Sequence, residues 1–325
     1  MSEREIFYNS AIQEAMSEEI ERDETVFLMG EDVATYGGAY KCSLGLLEKF
    51  GKERVRDSPI SEAAIAGAGI GAAIQGMRPI VEIMYADFIP IAMDAIVNQA
   101  SLLYFVSGGQ INVPMVVRTQ GGSGSFAGAQ HSKSLESWFT HIPGIKVLAP
   151  STPYDAKGLL KAAVRDNNPV IFFENKSLYR TTGIVPETDY ILEIGKADVK
   201  KVGTDVTLIA WSRMVNTSLE AAELLADEGI SAEVIDLRSL VPIDEETIFN
   251  SIKKTNRAVV VQEAWKNTGF GAEISSRIQE GVFDYLDGPV VRVAGQDAPI
   301  PFSPELEPSA APCVEDIVRG VKSLW

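Results

Sequence analysis

Apolar positions recur along this chain with two periods. Phe7, Ala11, Ala15 and Ile20 fall at near-helical spacing and run into the charged ERDE, which predicts an amphipathic opening helix before a strand at Val26 to Met29. Gly30-Glu31-Asp32 follows that strand, then a Gly/Tyr loop from Ala34 to Tyr40 and a short helix from Leu46 to Phe50. Asp57 to Gly76, DSPISEAAIAGAGIGAAIQG, is the most unusual stretch. Pro59 favours an extended approach, Ser61 can cap a helix, and four glycines then interrupt an alanine-rich helix former. Those glycines cost helix stability, which is explained if another helix, a second subunit or a flat ligand approaches the backbone closely. Past Asp57 the stretch holds one acid, Glu62.

Strands are expected at Ile80 to Met84, Val113 to Arg118, Ile145 to Ala149 and Val170 to Glu174, with a largely apolar helix from Phe88 to Phe105 and another from Tyr154 to Asp166. Between them Gln120 to Gln130 is a loop with four glycines ending at Gln130-His131-Ser132. Polar composition from Lys176 to Thr204 marks a connection. A second alternating set follows: strands at Val206 to Trp211, Ala232 to Leu237, Val259 to Gln262 and Val290 to Val293, helices at Asn216 to Glu228, Asp244 to Lys254 and near Gly271 to Gly281, a proline-rich stretch and a last helix from Val314 to Leu324. Short apolar strands alternating with helices predict an α/β protein of two domains, each a mostly parallel sheet flanked by helices. The boundaries expected are 1–185, a linker at 186–203, and 204–325.

Composition narrows the function. A chain of 325 residues with 46% hydrophobic content can bury two cores. A net charge of -16 argues against nucleic acid and anionic membrane as partners and favours a basic protein partner. The longest apolar run, Ala63 to Ile74, is too short to span a bilayer, and an acidic N-terminal stretch is unlike a signal peptide, so a cytoplasmic protein is expected. Cys42 and Cys313 lie far apart with no metal-binding spacing.

The candidate chemistry is sparse. Glu62 reads as an acid in the first turn of a helix, favoured there by the macrodipole, or as a buried catalytic carboxyl. Only two histidines occur, and His131 ends a glycine loop after a strand, where α/β sheets place ligand-contacting groups; His141, in FTHIPG, reads as structural. The loop from Gly121 to Gly128 lacks the lysine and following helix of a phosphate loop.

The motifs and their order carry a resemblance over essentially the whole chain. GED after the first strand, RDSPISE, YADF, AQHS, HIPGIKVLAPSTPYDAKGLL, RDNNPVIFFE, VTLIAW and VIDLRSLVPID resemble the beta subunit of the decarboxylating component of 2-oxo acid dehydrogenase complexes. That family includes the pyruvate, branched-chain 2-oxo acid and acetoin dehydrogenases and uses thiamine diphosphate. The resemblance implies that Glu62 hydrogen-bonds the pyrimidine N1′ and favours the tautomer whose amine removes the C2 proton. It implies that Phe88 stacks on the pyrimidine and that Ile60 lines the pocket, although both also read as plain core residues. His131 matches the histidine that assists acyl transfer to the lipoyl arm. Met115, Ala163, Val164, Asp166 and Asn168 match a structural potassium site, although RDNNP also reads as a helix-ending turn.

The GDG-then-Asn segment that holds magnesium and diphosphate in thiamine enzymes is missing from this sequence; in the family it belongs to the alpha subunit. An α2β2 heterotetramer is therefore expected, acting with a lipoyl-bearing acyltransferase on a 2-oxo acid, most simply pyruvate, or on acetoin. Two alternatives stand beside this reading: a single-chain transketolase-like synthase, disfavoured by the missing diphosphate segment, and a non-catalytic scaffold subunit, disfavoured by the presence of Glu62, Phe88 and His131. Nothing in the motifs separates pyruvate from acetoin or a branched acid.

Overall fold

The computed structural model describes residues 3–325. The chain parts into two compact units, Met1–Gly121 with Trp138–Ile194 and Gly122–Ser137 with Gly195–Trp325. Its elements run β1 (Glu3–Phe7), α1 (Tyr8–Arg22), β2 (Val26–Gly30), α2 (Leu46–Phe50), β3 (Val55–Asp57), α3 (Glu62–Ile74), β4 (Arg78–Ile83), α4 (Leu103–Val106), β5 (Val116–Gly121), α5 (Glu136–Thr140), β6 (Lys146–Leu148), α6 (Pro153–Arg165), β7 (Val170–Asn175) and β8 (Thr182–Pro186). Then follow β9 (Asp198–Lys201), β10 (Val206–Ala210), α7 (Arg213–Asp227), β11 (Ala232–Asp236), β12 (Ser239–Val241), α8 (Glu245–Thr255), β13 (Ala258–Trp265), α9 (Phe270–Val282), β14 (Val291–Gly295) and α10 (Val314–Lys322).

In the first unit the parallel strands lie in the order β6-β7-β5-β4-β2-β3, and β5 and β7 are buried along their whole length, as strands covered on both faces must be. In the second the order is β14-β13-β10-β11-β9, parallel except for the antiparallel edge strand β9. The α/β class of two mostly parallel sheets flanked by helices is the one expected. No single helix among the described residues is long and apolar enough to cross a membrane.

Several buried charges are paired. Arg118, fully enclosed in the first sheet, reaches Glu82 on β4 at 2.6 Å and Glu174 on β7 at 2.7 Å, and Tyr179 donates to Glu174 at 2.6 Å. Along α6, Lys157, Lys161 and Arg165 recur every four residues and meet Glu14, Glu18 and Glu19 of α1, with Lys157 to Glu18 at 2.6 Å and Arg165 to Glu19 at 2.6 Å. Removing Arg118 would strand two fully buried carboxylates, a loss that costs about 3–5 kcal/mol, whereas the partly exposed α1–α6 pairs are worth less.

Three expectations change. The helix foreseen from Phe88 to Phe105 is instead a 3-10 turn at Ala86–Ala92 containing Pro90, a π-helical turn at Asp94–Ala100, and α4. Proline removes an N–H and obstructs the preceding turn, so the segment cannot run as one α-helix. Its end is also exposed, with Phe105 at 83%. The polar stretch set aside as a linker at 186–203 contains β9, which pairs with β11, and Tyr190, whose ring stacks on Tyr154 at 4.7 Å. The glycine loop, placed by sequence in the first domain, groups with the second unit from Gly122 to Ser137. The β1–β8 pairing was not foreseen, because neither strand alternates cleanly.

Candidate active site

The order in which the chain lays down strands reverses at β2, which has β3 on one side and β4 on the other. The crevice at the carboxyl ends of strands beside such a reversal is where open α/β sheets bind ligands. Glu31 directly follows β2, Ile60 and Glu62 follow β3, and Phe88 follows β4. The segment between β3 and α3 is pinned at that edge: the Ser58 N–H donates to the Gly30 carbonyl at 2.8 Å. The Asp57 carboxylate accepts from the N–H groups of Ala34 at 2.7 Å and Thr35 at 3.1 Å. Burial pushes the Asp57 carboxyl up, but those N–H bonds outweigh it and hold the group below its usual range.

Glu62 is the first residue of α3 and only 9% exposed, while Ile60 two residues earlier is 73% exposed. Ser61 occupies the cap position without a side-chain cap bond, so the caps expected from sequence do not satisfy the first N–H groups of α3. Burial, with Asp32 and Glu62 adding like charge, raises the carboxyl of Glu31 above its ordinary value. Glu31 is thus part of the Glu62 environment, and the available signal was its place in GED at a strand end. Phe88 is half-buried on the 3-10 turn that packs against α3, and its N–H donates to the Tyr85 carbonyl at 2.8 Å. The Tyr85 ring stands edge-on to Tyr40 at 6.0 Å, and Tyr40 stacks on Tyr179 at 4.5 Å, giving that turn an aromatic base.

The glycines of the α3 stretch serve three different ends. A Cβ on Gly69 would meet Met115 Sδ and Val81 Cγ1, each at 2.8 Å, so this glycine lets the helix lie against the sheet. Gly76 has φ of 92° just past the helix, a conformation that favours glycine. Gly67 and Gly71 have nothing within 4 Å of an added Cβ and share the exposed face of α3 with Ala63, Ala64 and Ala68. No contact within this chain accounts for those two.

His131 lies in the second unit, half-buried, on the loop that leaves β5. Its N–H donates to the Gly128 carbonyl at 3.3 Å, and Gly128, with φ of 71°, packs under Phe302. The loop is held by acids. Glu263 accepts from the Ser123 N–H at 2.6 Å and hydroxyl at 2.8 Å and pairs with Arg213 at 3.2 Å; Glu307 accepts from the Phe126 N–H at 2.8 Å. Burial, with some repulsion from Glu263, lifts the carboxyl of Glu136 to about 7. Sequence reading passed over Glu136 because an acid opening a short helix is ordinary.

The five positions matched to a potassium site gather at the C-terminus of α6 and the starts of β5 and β7. The Met115 carbonyl accepts from Val170 at 2.9 Å and that of Ala163 from Asp166 at 3.2 Å. Arg78 donates to the carbonyls of Val164 and Asp166, each at 2.9 Å. The Asp166 carboxylate accepts from Lys146 at 2.5 Å and from the backbone and side-chain amides of Asn168 at 2.8 and 2.9 Å. Burial opposes the ionisation of Asp166, but these donors prevail and keep it low. These oxygens are hard acceptors, and backbone N–H groups, Arg78, Lys146 and Asn168 already engage them. Among the described residues no group of three His, Cys, Asp or Glu side chains could hold a metal ion.

Residues 4–182 match the family described as Transketolase, pyrimidine binding domain, and residues 195–317 match Transketolase, C-terminal domain. The chain is 49% identical to the rice protein "Pyruvate dehydrogenase E1 component subunit beta-1, mitochondrial", over 98% of this chain and 86% of that one. It is 46% identical to the cattle "Pyruvate dehydrogenase E1 component subunit beta, mitochondrial" over 98% of this chain and 90% of that one, and 46% identical to the subunit beta of Rickettsia felis over 98% of both. A solved structure titled "Split gene transketolase, inactive beta4 tetramer" superposes with a TM-score of 0.79 over 98% of each chain at 24% identity, a likeness of fold.

Proposed function

Because the chain belongs to the family of pyruvate dehydrogenase E1 beta subunits, we propose that it supplies the pyrimidine half of a thiamine diphosphate site. With an alpha subunit it then decarboxylates pyruvate and passes the acetyl group to a lipoyl-bearing acyltransferase. The observation that carries this reading is the buried Glu62 at the start of α3, beside the reversal of strand order and next to the turn bearing Phe88.

These residues fit the pyrimidine ring. A flat heterocycle needs an acid at its ring nitrogen, an aromatic face and an apolar edge; Glu62, Phe88 and the exposed Ile60 offer these in that order. When bound, thiamine diphosphate would supply the sink for the electron pair left on the 2-oxo carbon as the carboxylate departs as carbon dioxide. Glu62 holds a proton at N1′ and biases the ring toward the form whose amine acts as a base. Phe88 and Ile60 orient the ring and exclude water. His131 donates a proton to the thiolate that leaves the lipoyl disulfide, since an imidazole can do so near neutral pH.

The missing diphosphate segment and the outward Gly67 and Gly71 support an alpha subunit as partner, and an α2β2 heterotetramer as the assembly. So do the exposed Tyr104, Phe105 and Val106, an apolar patch of the first unit that calls for cover. Magnesium and diphosphate would be held by that partner. A potassium ion on Met115, Ala163, Val164, Asp166 and Asn168 would brace the end of α6. The cytoplasm is the compartment inferred for this chain, in keeping with two free cysteines.

The test is an activity panel on the purified alpha-beta pair with an artificial electron acceptor. Turnover of pyruvate well above that of acetoin and branched 2-oxo acids supports the reading, and preference for another substrate replaces it. Tight magnesium-dependent binding of thiamine diphosphate by the isolated chain would sink the half-site argument.

A further inference from the structure

Three tyrosines form the base of the turn that bears Phe88, and its two ends are held differently. At the inner end the Tyr179 hydroxyl donates to Glu174 at 2.6 Å, and Glu174 is paired in turn with the enclosed Arg118. Tyr40 lies on Tyr179 with the ring planes 23° apart, and its carbonyl accepts from the Asn9 side chain at 3.1 Å. At the outer end Tyr85 meets Tyr40 edge-on, and the Lys176 ammonium stands over the Tyr85 ring, 5.6 Å from its centroid. That distance is within reach of a cation–π attraction, which strengthens away from water, and Lys176 is 6% exposed. A buried ammonium is costly unless its neighbours stabilise it, and the Tyr85 face is one of them. Lys176 is itself fixed: it follows β7, buried along its length, and opens the 3-10 turn Lys176–Leu178, where the Asn175 side chain accepts from the Ser177 N–H at 3.0 Å and hydroxyl at 2.6 Å. Tyr85 instead begins the irregular segment after β4, and its carbonyl accepts the Phe88 N–H at 2.8 Å. Since β5 lies between β4 and β7, the lysine reaches from the carboxyl end of one strand across its neighbour to the turn beyond.

We propose that Lys176 is a positioning residue for the pyrimidine site: by holding the Tyr85 ring from the end of β7, it fixes the start of the 3-10 turn and with it the angle at which Phe88 presents its face. The inner side of that turn is set by Ala86 and Ile89, which are fully buried. A segment seated on two points can still rock about the line through them, and the Tyr85 ring supplies the third. Stacked rings favour a defined mutual geometry, so rocking of the turn weakens the hold on a flat heterocycle. The lysine acts through Tyr85 and not on the reacting atoms. This inference rests on the role given to Phe88 above, and its primary readout, the seating of the turn, does not depend on that role.

The test uses the assembled alpha-beta enzyme and Lys176→Met, which keeps an unbranched apolar stem and removes the charge. Amide exchange of residues 85–93 should rise about tenfold in the variant. Binding of thiamine diphosphate with magnesium should weaken about tenfold, and the near-ultraviolet dichroism induced in the bound ring should change. Lys176→Arg, whose guanidinium also stacks on aromatic faces, should bring all three back toward the parent. Ring-fluorinated phenylalanines placed at position 85 and measured against Tyr85→Phe give a second arm, because fluorine withdraws charge from the ring face with little change of shape. Exchange should rise with each added fluorine, and this arm decides should Lys176→Met fail to fold. Unchanged exchange in Lys176→Met, or a flat fluorine series, overturns the proposal. If exchange rises while cofactor binding and dichroism stay as in the parent, Phe88→Leu decides: parent-like binding there means that the role of Phe88 falls and the seating by Lys176 stands, and weak binding there overturns the link from Lys176 to the site.

Discussion

Glu62 and Glu136 are both glutamates at the first residue of a helix, both almost fully buried, and they sit in opposite settings. Glu62 belongs to a rigid frame in which the ends of β2, β3 and β4 fix the backbone on each side, and the neighbouring face of α3 is bare. Glu136 closes a glycine loop whose position depends on side-chain acids. The frame suits a group that must hold one atom of a ligand still through a reaction. The loop suits a group that must reach a second substrate and withdraw.

The largest effect should come from the frame. Glu62→Gln leaves a polar group of the same size that cannot hold or accept the proton at N1′, so deuterium exchange at C2 of bound cofactor should slow by about a thousandfold, within the range of lost acid-base catalysis. An unchanged exchange rate would reduce Glu62 to a helix-start acid. The loop should fail more selectively. His131→Ala is expected to lower lipoyl-dependent transfer by about a hundredfold while an artificial electron acceptor still reports substantial turnover. Equal losses in both assays would show that the two regions serve one common step.

The same contrast has a pH signature in stability. The Glu136 carboxyl is raised from an ordinary 4.5 to about 7 in the folded protein, so the native state holds a proton that the unfolded chain gives up. Its contribution is fully present below about pH 4.5, is lost as pH rises through about 7, and amounts to up to about 3 kcal/mol. Asp57 and Asp166 are shifted the other way, so their contribution is present above their ordinary value and lost in acid. Chemical denaturation of Glu136→Gln across about pH 2 to about pH 8 should show the decline above about pH 4.5 removed and the acid-side loss below about pH 4 intact. An unaltered decline would assign it to other groups.

How much of this was legible follows from how each region is encoded. Glu62 was visible because Pro59 and Ser61 announce a helix start, and because the acid stands alone in a small apolar run. The flanking strands β2 and β4 were visible because buried parallel strands are continuous apolar runs, whereas β3, Val-Arg-Asp with two exposed positions, was not foreseen. Glu136 was not, because its setting is made by burial and by Glu263, which is remote from it in sequence and carries no periodic mark. The allegiance of Gly122–Ser137 was hidden too, as glycine loops have no apolar face to indicate what they pack against. Phe88 was placed correctly after β4, but the helix drawn through it ignored Pro90.

The smallest effect sharpens the comparison within α3 itself. Gly69 and Gly67 are two residues apart and face opposite ways, one against Val81 and Met115, the other outward. Gly69→Ala brings a Cβ to 2.8 Å from Val81 Cγ1, a short branched side chain in a central strand that cannot swing aside, and from the more pliable Met115 Sδ. Overpacking of this kind costs about 1–3 kcal/mol, which exceeds the helix propensity gained. Gly67→Ala meets nothing within 4 Å, so the isolated chain should instead gain the about 0.8–1.0 kcal/mol by which alanine surpasses glycine in a helix. If the bare face receives the backbone of a partner helix, that same methyl group must stand between the two, and a chain that melts higher alone should bind its alpha subunit more weakly. Thermal melts of the lone chain and sedimentation of the mixed subunits measure the two effects separately. A Gly67→Ala chain that is both more stable and fully competent to assemble would mean that the outer glycines of α3 do not mark a close subunit contact.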